Sequence, residues 1–126
     1  MKVYLSGGMR SGWMGRAEGL LETEQKVNII SPKKHGLKSP DEYSLYDTWA
    51  VAQSDVVLAY MEETNPSGWG LALEIGIAVG RGIPVVFVQD ELEEPRGRYF
   101  ALIRHSVTQA NDLESACALI RKMARV

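Results

Sequence analysis

Apolar residues in this chain fall in short unbroken runs separated by glycine, proline and charge. Lys2 to Ser6 is the first run, ended by Gly7-Gly8. Val27 to Ile30 is the second, stopped by Ser31-Pro32. Asp55 to Tyr60, with Val56-Val57-Leu58-Ala59 at its centre, is the third, and Ile83 to Val88 is the fourth. Ser106 to Gln109 offers a fifth, shorter one. Between the runs, the residue mix predicts helices. Trp13 to Glu24 has helical character, with Leu20 and Leu21 as core candidates, and Asp41 to Ser54 reads as a second helix. Leu71 to Arg81 is a third, closed by Gly82 and Pro84, residues that end helices. Tyr99 to Arg104 predicts a short helix. The last helix is expected to start at Asn111, with Glu114 three residues on completing a capping box. Pro32 to Pro40, Met61 to Gly68 and Gln89 to Arg98 are the loops.

Strands that are continuous apolar runs indicate a parallel sheet covered on both faces. The expected architecture is one small doubly wound (flavodoxin-like) α/β domain over residues 1–126, with about five strands. In such sheets ligands bind beyond the carboxyl ends of the strands, where strand order reverses. That rule gathers the loops after Ser6, Ile30 and Tyr60.

Composition narrows the classes. The chain has 126 residues and a net charge of −2, so no global field draws it to polymeric nucleic acid or a membrane. Basic residues are scattered. No segment is long and apolar enough to span a bilayer, and the first apolar run is too short for a signal peptide. The single cysteine, Cys117, leaves no internal disulfide and no cysteine-based zinc site, which fits a cytoplasmic setting.

Glu74 is the chemical anomaly. It is the only charge in the thirteen residues from Ser67 to Val79. Burying a lone carboxylate in such surroundings costs on the order of several kcal/mol, so a partner or a chemical use is expected. If the helix begins near Gly70, the positive end of its dipole favours the ionised form, suited to a nucleophile or an electrostatic stabiliser. A glutamate that caps its own helix or pairs with an arginine is the plainer alternative. Gly76 and Gly80, four apart, predict a small helix face that packs closely on the sheet.

The first loop is Ser6-Gly7-Gly8-Met9-Arg10-Ser11-Gly12-Trp13. Its glycines allow a ligand near the backbone, and the helix after it offers N–H groups to an anion; a glycine-rich strand-to-helix turn without a ligand is the plainer alternative. Trp13 stands where a P-loop requires lysine, and G-x-G-x-x-G is absent. Arg10 is the candidate fork for a phosphate or carboxylate, against the alternative of a solvated arginine. Asp47 lies among Tyr43, Tyr46 and Trp49, where desolvation can raise its pKa and suit a general acid; a place on the exposed polar face of its helix is the alternative. Asp55 reads as a turn-binding carboxylate. The loop Ser67-Gly68-Trp69-Gly70 leads to Glu74. Trp69 and Trp13 flank the expected crevice and either stack on a planar base or pack in the core. His35 and His105 lack metal-ligand spacing and read as loop residues.

Three pieces of the chain resemble the nucleoside 2-deoxyribosyltransferase family, including its relatives that hydrolyse deoxynucleoside 5′-monophosphates. They are Val3-Tyr4-Leu5-Ser6-Gly7-Gly8-Met9-Arg10, Asp47 with Ser54-Asp55-Val56-Val57-Leu58-Ala59, and Gly70-Leu71-Ala72-Leu73-Glu74-Ile75-Gly76-Ile77-Ala78. The resemblance implies Glu74 as the nucleophile at the anomeric carbon, Tyr4 as its orienting partner and Asp47 as the residue that handles the base. It implies Arg10 and Ser67 at a 5′-phosphate. Gly8 stands where the hydrolases have a serine, and Phe100 where the family takes a polar side chain from a neighbouring subunit.

The expectation is therefore an enzyme that cleaves an N-glycosidic bond of a nucleoside or nucleotide, in purine salvage or similar metabolism. Catalysis would rest on Glu74, Asp47 and Tyr4. Ser6, Gly7, Gly8, Met9, Arg10, Trp13, Ser67, Gly68, Trp69 and Gly70 would form the substrate site. The sugar passes to another base or to water, without metal or organic cofactor, in a homodimer or larger homo-oligomer. A non-catalytic nucleotide-binding module and a nicotinamide-dinucleotide glycohydrolase are the alternatives.

Overall fold

Alternation along each strand organises the molecule. In the computed structural model, which describes residues 1–126, β1 (Lys2–Gly7) sends Val3 and Leu5 to one face of the sheet and Tyr4 to the other. The partners of β1 are β2 (Asn28–Ile30) and β3 (Val56–Met61), both parallel to it. Beyond β3 come β4 (Val85–Gln89) and β5 (Thr108–Gln109), giving the parallel order β2-β1-β3-β4-β5. The strand order reverses between β1 and β3, so a crevice opens at their carboxyl ends. The doubly wound α/β architecture read from the apolar runs is the observed one.

Each face of the sheet carries its own core. Helices α1 (Trp13–Leu21) and, at the end of the chain, α6 (Leu113–Arg125) pack against each other and cover Val3, Leu5, Val56 and Leu58. Helices α2 (Pro40–Gln53) and α3 (Trp69–Gly80) cover Tyr4, Val57, Ala59 and Phe87. Every residue of β3 is buried, because both faces are roofed. No helix is long and apolar enough to cross a membrane.

Several local expectations are corrected. The cap of α6 is Asp112, whose carboxylate accepts from the Ser115 amide at 2.7 Å. Asn111 lies one residue outside, and Glu114 pairs with Arg16 at 3.1 Å instead of folding back to a cap. The single short helix expected over Tyr99–Arg104 is two, α4 (Arg96–Tyr99) and α5 (Ala101–Arg104). They meet at Phe100, whose buried ring stacks on Phe87 with centroids 6.2 Å apart. Gly76 and Gly80 are exposed, with no atom near where a Cβ would stand, so they do not pack on the sheet. They border a groove against α2, beside Thr48 and Trp49.

Candidate functional site

The floor of the crevice follows from the two-residue period of β1. Tyr4 and Ser6 leave the same face of the sheet, beneath α3. Glu74, in the second turn of α3, points down onto them. The Tyr4 hydroxyl donates to Glu74 Oε2 at 2.6 Å, and the Ser6 hydroxyl donates to Oε1 at 2.7 Å. Both partners are neutral, and none of the ion pairs involves Glu74.

Burial pushes the Glu74 carboxyl above its ordinary value; the Tyr4 and Ser6 hydrogen bonds pull it back, and the charge of Asp47 adds to the rise. The dipole argument from sequence is thus overturned in its net result. Desolvation acts on the whole side chain, whereas Glu74 sits past the first turn, where the dipole is strongest. Tyr4 is pushed far up, first by burial and then by the Glu74 charge and hydrogen bond, so it stays a proton donor.

The crevice above has a volume of about 280 Å³. Gly7, Gly8 and Met9 form one wall; Ser67, Gly68, Trp69 and Gly70 another; Asp47 and Glu74 share the space. The glycine before α3 is required: Gly68 has φ 71°, and a Cβ there would collide with Phe100 and come within 2.9 Å of Met61 Sδ. Trp69 stands out at 82% exposure on the rim.

Three residues expected in the substrate site do not line the crevice: Ser6 is fully buried beneath Glu74, and Trp13 and Arg10 stand apart. Trp13 is fully buried, stacked on Tyr60 at 5.2 Å, with its indole N–H donating to the Gly8 carbonyl at 2.6 Å. It fixes the first loop from behind and does not line the crevice. Arg10 is exposed, with Nη1 aimed at the Thr64 carbonyl at 3.4 Å. Asp55 ties the starts of β3 and β1 together, its carboxylate accepting from the Lys2 amide at 2.7 Å.

Sequence reading missed two residues. His35 is not a free loop histidine: Nε2 lies 3.1 Å from Asp47 Oδ1. Nδ1 accepts from the Leu37 amide at 2.9 Å, so the ring proton sits on Nε2 and is donated to Asp47. Burial raises the Asp47 pKa, and His35 opposes that rise. Oδ2 is left free of protein hydrogen bonds. Only the aromatic neighbours hinted at this in the sequence; Tyr46 meets the His35 ring edge-on at 5.1 Å. The other omission is Glu62, fully buried just past β3, whose Oε1 and Oε2 accept from the Arg10 and Ser11 amides at 3.1 and 2.8 Å. An acid directly after six apolar residues was the available signal.

No protein-family model matches the sequence, and no curated protein matches it by sequence. Solved structures do resemble the fold. A 2-deoxyribosyltransferase from Bacillus psychrosaccharolyticus superposes with a TM-score of 0.69 at 19% identity, over 90% of this chain and 88% of its own. The Clostridium botulinum CMP N-glycosidase BcmB gives 0.64 at 18% identity, over 95% and 98%. A 2-deoxyribosyltransferase from Leishmania mexicana gives 0.63 at 13% identity, over 87% and 78%. At these identities the likeness is one of fold, and this chain shares its fold with enzymes that act on nucleosides and nucleotides.

Proposed function

We propose that this protein cleaves the N-glycosidic bond of a nucleoside or nucleoside 5′-monophosphate, with Glu74 as nucleophile. The observation that carries the reading is the Glu74 carboxylate held by two neutral hydroxyls at 2.6 and 2.7 Å on a crevice it shares with Asp47. The fold likeness to deoxyribosyltransferases and a CMP N-glycosidase supports the substrate class.

A Glu74 oxygen attacks C1′ as the C1′–N bond breaks, and the bonding pair leaves with the base nitrogen. Asp47, protonated on Oδ2, delivers its proton to the departing base, while His35 holds Oδ1. Tyr4 and Ser6 fix the attacking carboxylate and follow its charge as the ester forms. The glycosyl ester is then opened by a second base or by water, with Asp47 taking the proton back. An acceptor base makes the reaction a transfer; water makes it hydrolysis. Glycosidases that retain configuration use the same two-carboxylate logic.

The test is mass spectrometry of the protein mixed with a 2-fluoro-2-deoxy nucleoside. Sugar trapped on the peptide holding Glu74, and no trapping or turnover in a folded Glu74→Ala variant, are expected. Near-normal turnover by that variant would end the proposal. Product that requires added adenine would assign transfer over hydrolysis.

The protein acts as a homo-oligomer in this reading. Leu45, Trp49 and Leu73 are more than half exposed on α2 and α3, next to the crevice, and a second copy is the fitting cover. Sedimentation should find a dimer or larger species that Leu45→Glu weakens; a monomer at all concentrations would refute this.

A further inference from the structure

Glu62 is a buried acid that the reaction above does not use. Its two oxygens accept the Arg10 and Ser11 amides, the loop N–H groups that would otherwise be open to an anionic ligand. The carboxylate presses so close behind the crevice that a Cβ on Gly8 would collide with its Oε1. Gly8 itself lines the crevice. Only a glycine therefore separates the sugar site from this acid.

The rest of the wall has the same bias. No lysine, arginine or histidine lines the crevice, while two carboxylates, Asp47 and Glu74, do. Arg10 lies outside, and Arg96 gives Nη1 to the carbonyls of Glu63 and Asn65 at 2.8 and 2.6 Å. Lys33 and Lys38 line an adjoining cavity that meets the crevice at Met9, Pro32, Tyr43 and Asp47, so neither lysine lines the crevice itself. The side chains that line the end opposite Asp47 are neutral, and the Arg10 and Arg96 guanidinium groups beside it are turned onto the carbonyls of Thr64, Glu63 and Asn65. Asn65 Oδ1 accepts from the Gly68 amide at 3.0 Å, which turns its NH2 toward Gly8, 3.4 Å from the position of a Cβ there. Ser67 adds a hydroxyl on the same wall.

We propose that the crevice selects an uncharged nucleoside over its 5′-monophosphate, with Glu62 as a specificity-determining residue that fills the loop amides and repels a phosphate. Asn65 and Ser67 donate to, or accept from, the neutral 5′-hydroxyl. The inference rests on the N-glycosidic reading of Glu74. It separates this protein from a nucleotide N-glycosidase of the same fold.

The experiment compares base release from a 2′-deoxynucleoside and from its own 5′-monophosphate, with and without added free base, at low and high salt. At an effective dielectric of about 20, one like-charge pair about 6 Å apart corresponds to roughly 100-fold in kcat/KM. The nucleoside should lead by that order at low salt. The lead should shrink in part as salt rises, because ions reach the phosphate in the open crevice but not the buried Glu62. Glu62→Gln should raise the monophosphate-to-nucleoside ratio of kcat/KM by roughly tenfold or more; as a ratio, it is insensitive to a general loss of activity. If that variant does not fold, the salt dependence of the unaltered protein decides. Equal or better use of the monophosphate, a salt-independent ratio, or an unchanged ratio in folded Glu62→Gln each overturns the inference and leaves the glycosidic reading standing. No base release from either substrate under any condition overturns both.

Discussion

Tyr4→Phe removes one oxygen atom from the floor of the crevice and nothing else. The ring stays where it is, buried among Val57, Ala59, Ala50 and Ile75. What disappears is the 2.6 Å hydrogen bond to Glu74 Oε2, leaving Ser6 as the only donor to the carboxylate. A hydrogen bond to a charged group contributes about 1.5–3 kcal/mol. If that bond serves the ionised nucleophile through the transition state, kcat/KM falls by roughly 10- to 150-fold at neutral pH. A second consequence has a definite sign. Removing a donor to the ionised form disfavours ionisation, so the Glu74 pKa, already raised by burial, rises further. The acid limb of the kcat/KM profile must then move to higher pH. The assay is base release from a 2′-deoxynucleoside across the acid-to-neutral range, beside thermal melting of both proteins. A rate within twofold of the starting protein would refute the role given to Tyr4. So would a fall in rate with the acid limb unmoved, since that would be disturbed packing.

Two further outcomes follow from the same site. Because burial outweighs the hydrogen bonds at Glu74, its folded-state pKa lies above the unfolded value. The associated stability is complete below the unfolded pKa and is lost as pH rises through the folded one. Glu74→Gln, which cannot ionise, should melt a few degrees higher than the starting protein at neutral pH and lose that advantage in acid; a difference in Tm that is flat with pH refutes it. His35→Ala takes away the donor that holds Asp47 Oδ1 and restrains its pKa. The alkaline limb of kcat/KM should move upward while kcat drops by roughly tenfold; an unmoved limb with full activity would make His35 a loop residue after all.

The local grammar of this chain was legible without coordinates. Unbroken apolar runs such as Val56 to Ala59 occur where both faces of a strand are covered, and that alone demands a parallel sheet with helices above and below. Gly82 and Pro84 mark the end of α3 because few other residues can take that turn. Glu74 announced itself as a lone charge in apolar surroundings, since desolvation is too costly to be accidental.

What one dimension could not supply was distance. Tyr4 and Glu74 are seventy residues apart, and only the seating of α3 over β1 brings their oxygens to 2.6 Å. The same holds for His35 on Asp47 and for Glu62 on the Arg10 and Ser11 amides. Trp13 and Arg10 show the converse. Each neighbours the glycine loop in sequence, yet packing drew one into the core and solvation left the other outside. Local sequence fixes backbone conformation and periodicity, because those energies act between near neighbours. Which polar atom meets which, and so the sign and size of every pKa shift in the crevice, depends on burial and on contacts between distant segments, which exist only once the chain has folded.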